Sequence, residues 1–174
     1  STFCPYLKRN GYTVTLVHGN IGGGNEVLPG ITENVDNLVS LNFVGVGKIR
    51  LFNPLHLPKV ISIFKNHDIV YFSNGFFTQD LALLIARLFV KTPIVSSFRA
   101  PLYNDFKLSN LYSDFVLKFT TRFFDAHHVT NDETKKIIED WGAKNTFSVP
   151  REVDLDHNKL GEGSKDGKVR FVFL

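Results

Sequence analysis

The sequence predicts an α/β domain, a three-layer sandwich with a mainly parallel sheet and helices on both faces. Three observations carry this. Short β-branched runs alternate with helix-length apolar or amphipathic runs along most of the chain. No Asn-Gly or Asp-Gly pair separates two strand runs, so no hairpin is expected. The 174 residues are 43% hydrophobic and 21% charged, which suits one folded core and excludes a disordered chain.

The elements follow in order. Ser1 to Arg9 reads as the end of a helix, closed by Asn10-Gly11. YTVTLV (Tyr12 to Val17) is a strand, and the loop GNIGGGNEVLPG follows it. NLVSLNFV (Asn37 to Val44) is the second strand, PKVISIFKN (Pro58 to Asn66) a short helix, and DIVYFS the next strand. Thr78 to Lys91 is a helix apolar nearly all round, so Leu81 to Val90 should be buried. PIVSSF ends at Phe98, and the loop RAPLYN leads to a long helix from about Asp105 to Phe124. AHHVT is a strand. Asn131 caps the helix DETKKIIEDWG, which ends at Gly142, and NTFSV is the next strand. Residues 154–174 read as a polar linker and then the first strand, KVRFVFL, of a second unit, leaving 1–153 as one domain.

Composition excludes several classes. A net charge of +3 is too weak to argue for nucleic acid, though it suits a phosphorylated partner or an anionic membrane surface. One cysteine, Cys4, allows no internal disulfide and fits a reducing, cytoplasmic compartment. The apolar run Leu81 to Val90 contains Arg87 and is too short to span a bilayer. The absence of Met and a chain that stops inside VRFVFL suggest a piece of a longer protein.

Candidate chemistry is sparse. Gly22, Gly23 and Gly24 follow the first visible strand, but their spacing is not GxGxxG, so they read first as a flexible loop. GVGK (Gly45 to Lys48) lacks the leading glycine of a phosphate loop and has Ile49 where a hydroxyl is needed. None of the six histidines pair at i, i+4, so no metal site is expected. His127 and His128 should point to opposite faces of their strand. Ligands of parallel sheets bind beyond the strand C-termini. That rule selects Asn74, Gly75 and Arg99, the last a fixed cationic fork for a phosphate or carboxylate. On the long helix, Leu108, Tyr112, Phe115, Val116, Phe119 and Phe123 share one face, flanked by Lys107, Lys118 and Arg122. Such a face could lie on an anionic membrane. Packing against the sheet is the preferred reading, because a sheet helix needs an apolar face anyway.

DAHHVTNDETKKIIEDWGAKNTFSVPREVD, from Asp125 to Asp154, resembles the end of the N-terminal domain in family-4 type GT-B glycosyltransferases. Those chains carry a strand A-D-x-V-I-T-V-S, a helix, Gly, a short strand and then V-I-P-N-G-V-D. Val129 and Thr130 match the strand, Asn131 stands at its serine, and Val149, Pro150, Val153 and Asp154 match the last motif. Upstream, DIVYF and PIVSSFR resemble D-V-V-H and P-V-V-x-T-x-H, and KRNGYTVTLV resembles L-x-x-x-G-H-E-V-T-V-V. Two departures stand out. Arg151-Glu152 replaces Asn-Gly, and Arg99 stands where many members place a histidine.

The resemblance implies one Rossmann-like half of a GT-B fold and transfer of a sugar from a nucleotide-sugar donor to a glycan, lipid-linked or small-molecule acceptor. It implies no cofactor and no metal, with donor contacts mainly in a second domain, so these 174 residues alone should be inactive. Arg99, Asn74, Gly75, Asn131 and Arg151 would line the acceptor side of the cleft, while the aromatic and basic face of the long helix, apart from the resemblance, offers a peripheral membrane contact as a further partner. Two alternatives stay open. A GT-B sugar-nucleotide epimerase would place carboxylates and histidines in the cleft. A non-catalytic Rossmann-type binding module, such as a receiver, would need an acidic pair after its first strand.

Overall fold

A computed structural model describes residues 3–20, 32–46, 49–73, 79–98, 102 and 107–149. The triglycine, the linker and the expected second unit lie outside them.

Helix α1 spans Phe3–Arg9. Asn10 N–H bonds back to the Tyr6 and Leu7 carbonyls, and Gly11 takes φ +82°. This is the left-handed exit that Asn-Gly provides. Strand β1 (Thr15–Asn20) pairs in parallel with β2 (Asn37–Val46). It starts later than YTVTLV suggests, because Val14 N–H donates to Asp36 Oδ2 at 2.8 Å while the Val14 carbonyl accepts from Asp36 and Asn37.

A correction follows. β2 pairs antiparallel with β3 (Ile49–Phe52), so a hairpin is present where none was expected. Gly47 and Lys48, between the two strands, lie outside the described residues. Of the failed phosphate-loop match GVGK, Gly45 and Val46 are the end of β2. Helix α2 (Leu57–Lys65) then leads to the second sheet.

That sheet has the order β4 (Val70–Ser73), β5 (Ile94–Phe98), β6 (Ala126–Val129), β7 (Thr146–Ser148), all parallel. The fold is therefore α/β with a Rossmann-like, mainly parallel sheet. The connections are α3 (Gln79–Arg87), a helical run over residues 107–123, and α6 (Asp132–Asp140). Each step moves one strand in the same direction, so right-handed crossovers put all three on one face. Burial agrees. Phe72, Ile94, Ser96, Phe98, His127, Val129 and Thr146 share that face and are buried. Phe72 and Ile94 pack with Leu83, Ala86, Val90 and Phe124, while Phe98 and Val129 pack with Leu117, Ile138 and Trp141. On the opposite face Tyr71, Val95, Ala126 and His128 are half-buried and Phe147 is exposed. Ser97, on that same face, is buried, so the position of the three crossover helices on one face does not leave the other bare.

Polar stitching gathers where the strands begin. His67 Nε2 meets Thr15 Oγ1 at 2.8 Å, and Thr92 Oγ1 donates to the Phe64 carbonyl at 2.7 Å. Asp125 Oδ2 accepts from Ile94 N–H and its Oδ1 from Arg87 Nη2, both at 2.8 Å. Asn145, in the left-handed region at φ +51°, donates from Nδ2 to the Asp125 carbonyl.

Two helices depart from expectation. In α3 and the turn after it, Asp80, Ala82, Leu83, Ala86 and Val90 are buried, but Leu81, Ile85, Leu88 and Phe89 are exposed, Leu88 at 77%. A helix on one sheet face hides one side only, so its second apolar side stays outward. The run over 107–123 is α-helical as α4 (Lys107–Tyr112), a π-helix over Ser113–Leu117, α-helical again as α5 (Lys118–Thr120), and a 3-10 turn over Thr121–Phe123. Its buried side is Ser113, Leu117, Thr120 and Thr121, while Leu111, Phe115, Phe119 and Phe123 are exposed, Phe115 at 70%. The expectation that the aromatic side packs on the sheet is thus overturned. The π turn changes the angular step of the helix. The hydroxyls bury without penalty because they bond locally, Ser113 Oγ to the Leu102 carbonyl and Thr121 Oγ1 to that of Leu117.

Candidate functional site

The four parallel strands end level. Ser73 lies opposite Ser97, Phe98 opposite Val129, and Val129 opposite Ser148. Their C-termini form one straight edge, the edge at which parallel sheets bind ligands. Each predicted site residue follows one of these ends in the chain. Asn74 and Gly75 come after Ser73, Arg99 after Phe98, Asn131 after Val129, and Arg151 after Ser148. Asn131 is described. Asn74, Gly75, Arg99 and Arg151 lie outside the described residues.

Asn131 has extended backbone and caps α6, its Oδ1 accepting from Thr134 N–H at 2.7 Å. The cap fixes the amide plane. Among the described residues Nδ2 then has no hydrogen-bond partner, and the side chain is exposed. The first turn of α6 carries Asp132 and Glu133. Their negative charge already answers the positive helix end, so this N-terminus is a poor phosphate cradle.

Three polar groups stand out to which the sequence reading gave no site role. Asp80, in the first turn of α3, is 1% exposed. Tyr112 O–H donates to its Oδ2 at 2.8 Å, and Oδ1 has no partner among the described residues. Burial raises its pKa from 3.8 to about 6, with the Tyr112 hydrogen bond pulling the other way. An aspartate opening a strongly apolar helix was the available signal. Tyr112 was hidden because it was counted among apolar residues of its helix.

The second group lies on the sheet face opposite the crossover helices. Tyr71 O–H is 2.6 Å from His128 Nδ1, Ser97 Oγ is 3.4 Å from the same nitrogen, and His128 Nε2 is 3.2 Å from the Val149 carbonyl. A carbonyl only accepts, so the proton sits on Nε2 and Nδ1 accepts from Tyr71. The Ser97 contact is too long and the nitrogen too occupied for a nucleophile-base pair. The third group is His127, on the opposite face as expected for adjacent strand residues and fully buried. Ser96 Oγ is 3.0 Å from its Nδ1, and Nε2 has no hydrogen-bond partner among the described residues. Burial lowers its pKa from 6.5 to about 4, offset slightly by the Thr121 backbone, whose placement falls short of a hydrogen bond to that nitrogen. At neutral pH this imidazole is uncharged. Among the described residues no group of three His, Cys, Asp or Glu side chains is placed to hold a metal.

Parallel strands ending level, with polar residues after each end, are common to many folds. The family decides between them. The family model described as Glycosyltransferase Family 4 matches residues 1–157. The chain belongs to Glycosyltransferase Family 4. Neither the curated proteins nor the solved structures yield a match. Family membership makes this the N-terminal domain type of a glycosyltransferase and takes in every described element. It also agrees with the resemblance drawn from DAHHVTN and VPREVD. No described helix is long and apolar enough to cross a membrane.

Proposed function

We propose that this Family 4 domain forms the acceptor side of the cleft in an enzyme that moves a sugar from a nucleotide-sugar donor to an acceptor. The observation that carries the reading is the level row of strand ends in a chain matched by the family over residues 1–157. Donor contacts fall chiefly to a second domain, as the resemblance implies, and neither a metal nor a cofactor takes part. The domain without that partner has no transferase activity.

Asn74, Gly75, Arg99, Asn131 and Arg151 line the acceptor side. The leaving nucleoside diphosphate gains negative charge as the sugar departs, and fixed cations and amide donors stabilise it. Arg99 is permanently charged and holds a phosphate or carboxylate through two parallel hydrogen bonds. Asn131 presents Nδ2 from a plane locked by its cap.

The test is steady-state kinetics of the intact protein with a panel of nucleotide sugars, beside a thermal melt. Arg99→Ala should lower turnover or acceptor affinity by roughly a hundredfold with the melt unchanged, the scale of one lost transition-state donor. Arg99→Lys should recover part, because a point charge lacks the fork. Unchanged kinetics in Arg99→Ala would remove Arg99 from the site. No turnover of any nucleotide sugar by the intact protein would remove the transferase reading.

A further inference from the structure

We propose that the outer side of α3 and of residues 107–123 is a docking face for an anionic lipid bilayer. The two helices are neighbours. Tyr112 bonds Asp80 across them, and α3 packs on both the π turn and α5. Each buries one side and keeps a second apolar side outward. Phe89, Phe115, Phe119 and Phe123 are each between 45% and 70% exposed, and Leu88 and Leu111 on the same two stretches are exposed as well. Single exposed apolar side chains are ordinary, but a run of them along two adjacent helices marks an interaction surface.

Charge selects the occupant. On these two stretches the exposed charged side chains are Lys91, Lys107 and Lys118, with Arg122 donating from Nε to the Trp141 carbonyl at 2.7 Å, against Asp114. Asp80 is buried, and Arg87 is paired with Asp125. Aromatic rings amid lysines match the headgroup level of an anionic bilayer, where rings enter the acyl boundary and ammonium groups stay at the phosphates. A second copy of the chain would bring like charges together around the patch. Neither helix is long and apolar enough to span a membrane, so the contact is peripheral.

The experiment is co-sedimentation of the intact protein with phosphatidylcholine vesicles, with and without phosphatidylglycerol, and light scattering of the free protein. It needs no sugar assay, so its outcome is independent of the transferase reading. The protein should pellet with phosphatidylglycerol vesicles and be released by salt. Phe115→Ser combined with Phe119→Ser should reduce partitioning about tenfold or more. Lys118→Glu should reduce it about fivefold or more. Both variants should melt like the parent, because the altered side chains are exposed. Lys118→Glu alone keeps the test alive if the double variant fails to fold. Equal recovery of parent and variants, no recovery of the parent, or a dimer that Phe115→Ser with Phe119→Ser dissociates would each overturn the proposal.

Discussion

The Tyr112 hydroxyl donates a 2.8 Å hydrogen bond to Asp80 Oδ2, joining the first turn of α3 to the end of α4. Among the described residues it is the only side-chain partner of a carboxylate that is otherwise removed from water. Tyr112→Phe leaves that carboxylate buried without the donor. At pH 7 the variant should be less stable by about 2 kcal/mol, the scale of a hydrogen bond to a charged group. Near pH 4, where Asp80 is protonated, the loss should shrink. Urea unfolding at both pH values checks this, and an equal loss at both would refute it.

Asp80 and His127 bias stability with pH in opposite senses. Asp80 has its pKa raised from 3.8 to about 6, so the folded state binds more protons between those values. Its contribution to stability therefore grows as pH falls through that window. His127 is lowered from 6.5 to about 4, so the unfolded chain binds more protons there, and its contribution shrinks as pH falls. Each effect is worth about 3 kcal/mol at full extent, and the windows overlap. Relative to the parent, Asp80→Asn should lose about that much between pH 7 and pH 4, and His127→Gln should gain a similar amount. Parallel stability-pH curves for parent and variants would dismiss the idea.

Asn131 holds a cap and, in the proposed function, a place in the cleft. Asn131→Ala should lower stability by about 1 kcal/mol through loss of the Thr134 contact. Asn131→Ser keeps an N-cap but removes Nδ2. It should melt like the parent and raise the acceptor KM. Normal kinetics in Asn131→Ser would leave Asn131 as a cap only.

Asp125 joins β5, β6 and the end of α3 through Ile94 N–H and Arg87. Asp125→Ala frees both donors and should cost about 2 kcal/mol, a figure kept low because the pair is partly solvated. Asp125→Asn should regain part by accepting from one of them. Chemical denaturation measures both, and a loss below about 0.5 kcal/mol would show that water replaces the carboxylate at little cost.

The alternation of strands and helices was legible because β-branched runs and amphipathic runs differ in period. Caps at Gly11 and Gly142 were legible because a left-handed exit favours glycine. The opposite directions of His127 and His128 followed from strand geometry. The buried side of residues 107–123 was not legible. A wheel drawn at one fixed angle assumes a uniform helix, and it ranks Phe115 above Thr121 because hydropathy ignores a hydroxyl satisfied by its own helix. β3 was missed because GVGK was weighed as a phosphate loop, although its Gly45 and Val46 end a strand that pairs with Ile49–Phe52. At the candidate site, sequence order sufficed to say which residues follow strand ends. It could not reveal Asp80 and Tyr112, which meet across 32 positions only once two helices pack.

The stitches around Thr15, Phe64, Arg87, Ile94, Asp125 and Asn145 sit where strands start, whereas the predicted site residues follow where strands stop. Folding and selectivity are thereby assigned to opposite ends of the same strands. Segments following Ser73, Phe98 and Ser148 can change in length and chemistry while the hydrogen bonds that hold the sheet stay in place. Related proteins built on this arrangement can diverge in what they accept without first acquiring compensating mutations in the core, and grafted rim segments should inherit a foundation that already folds.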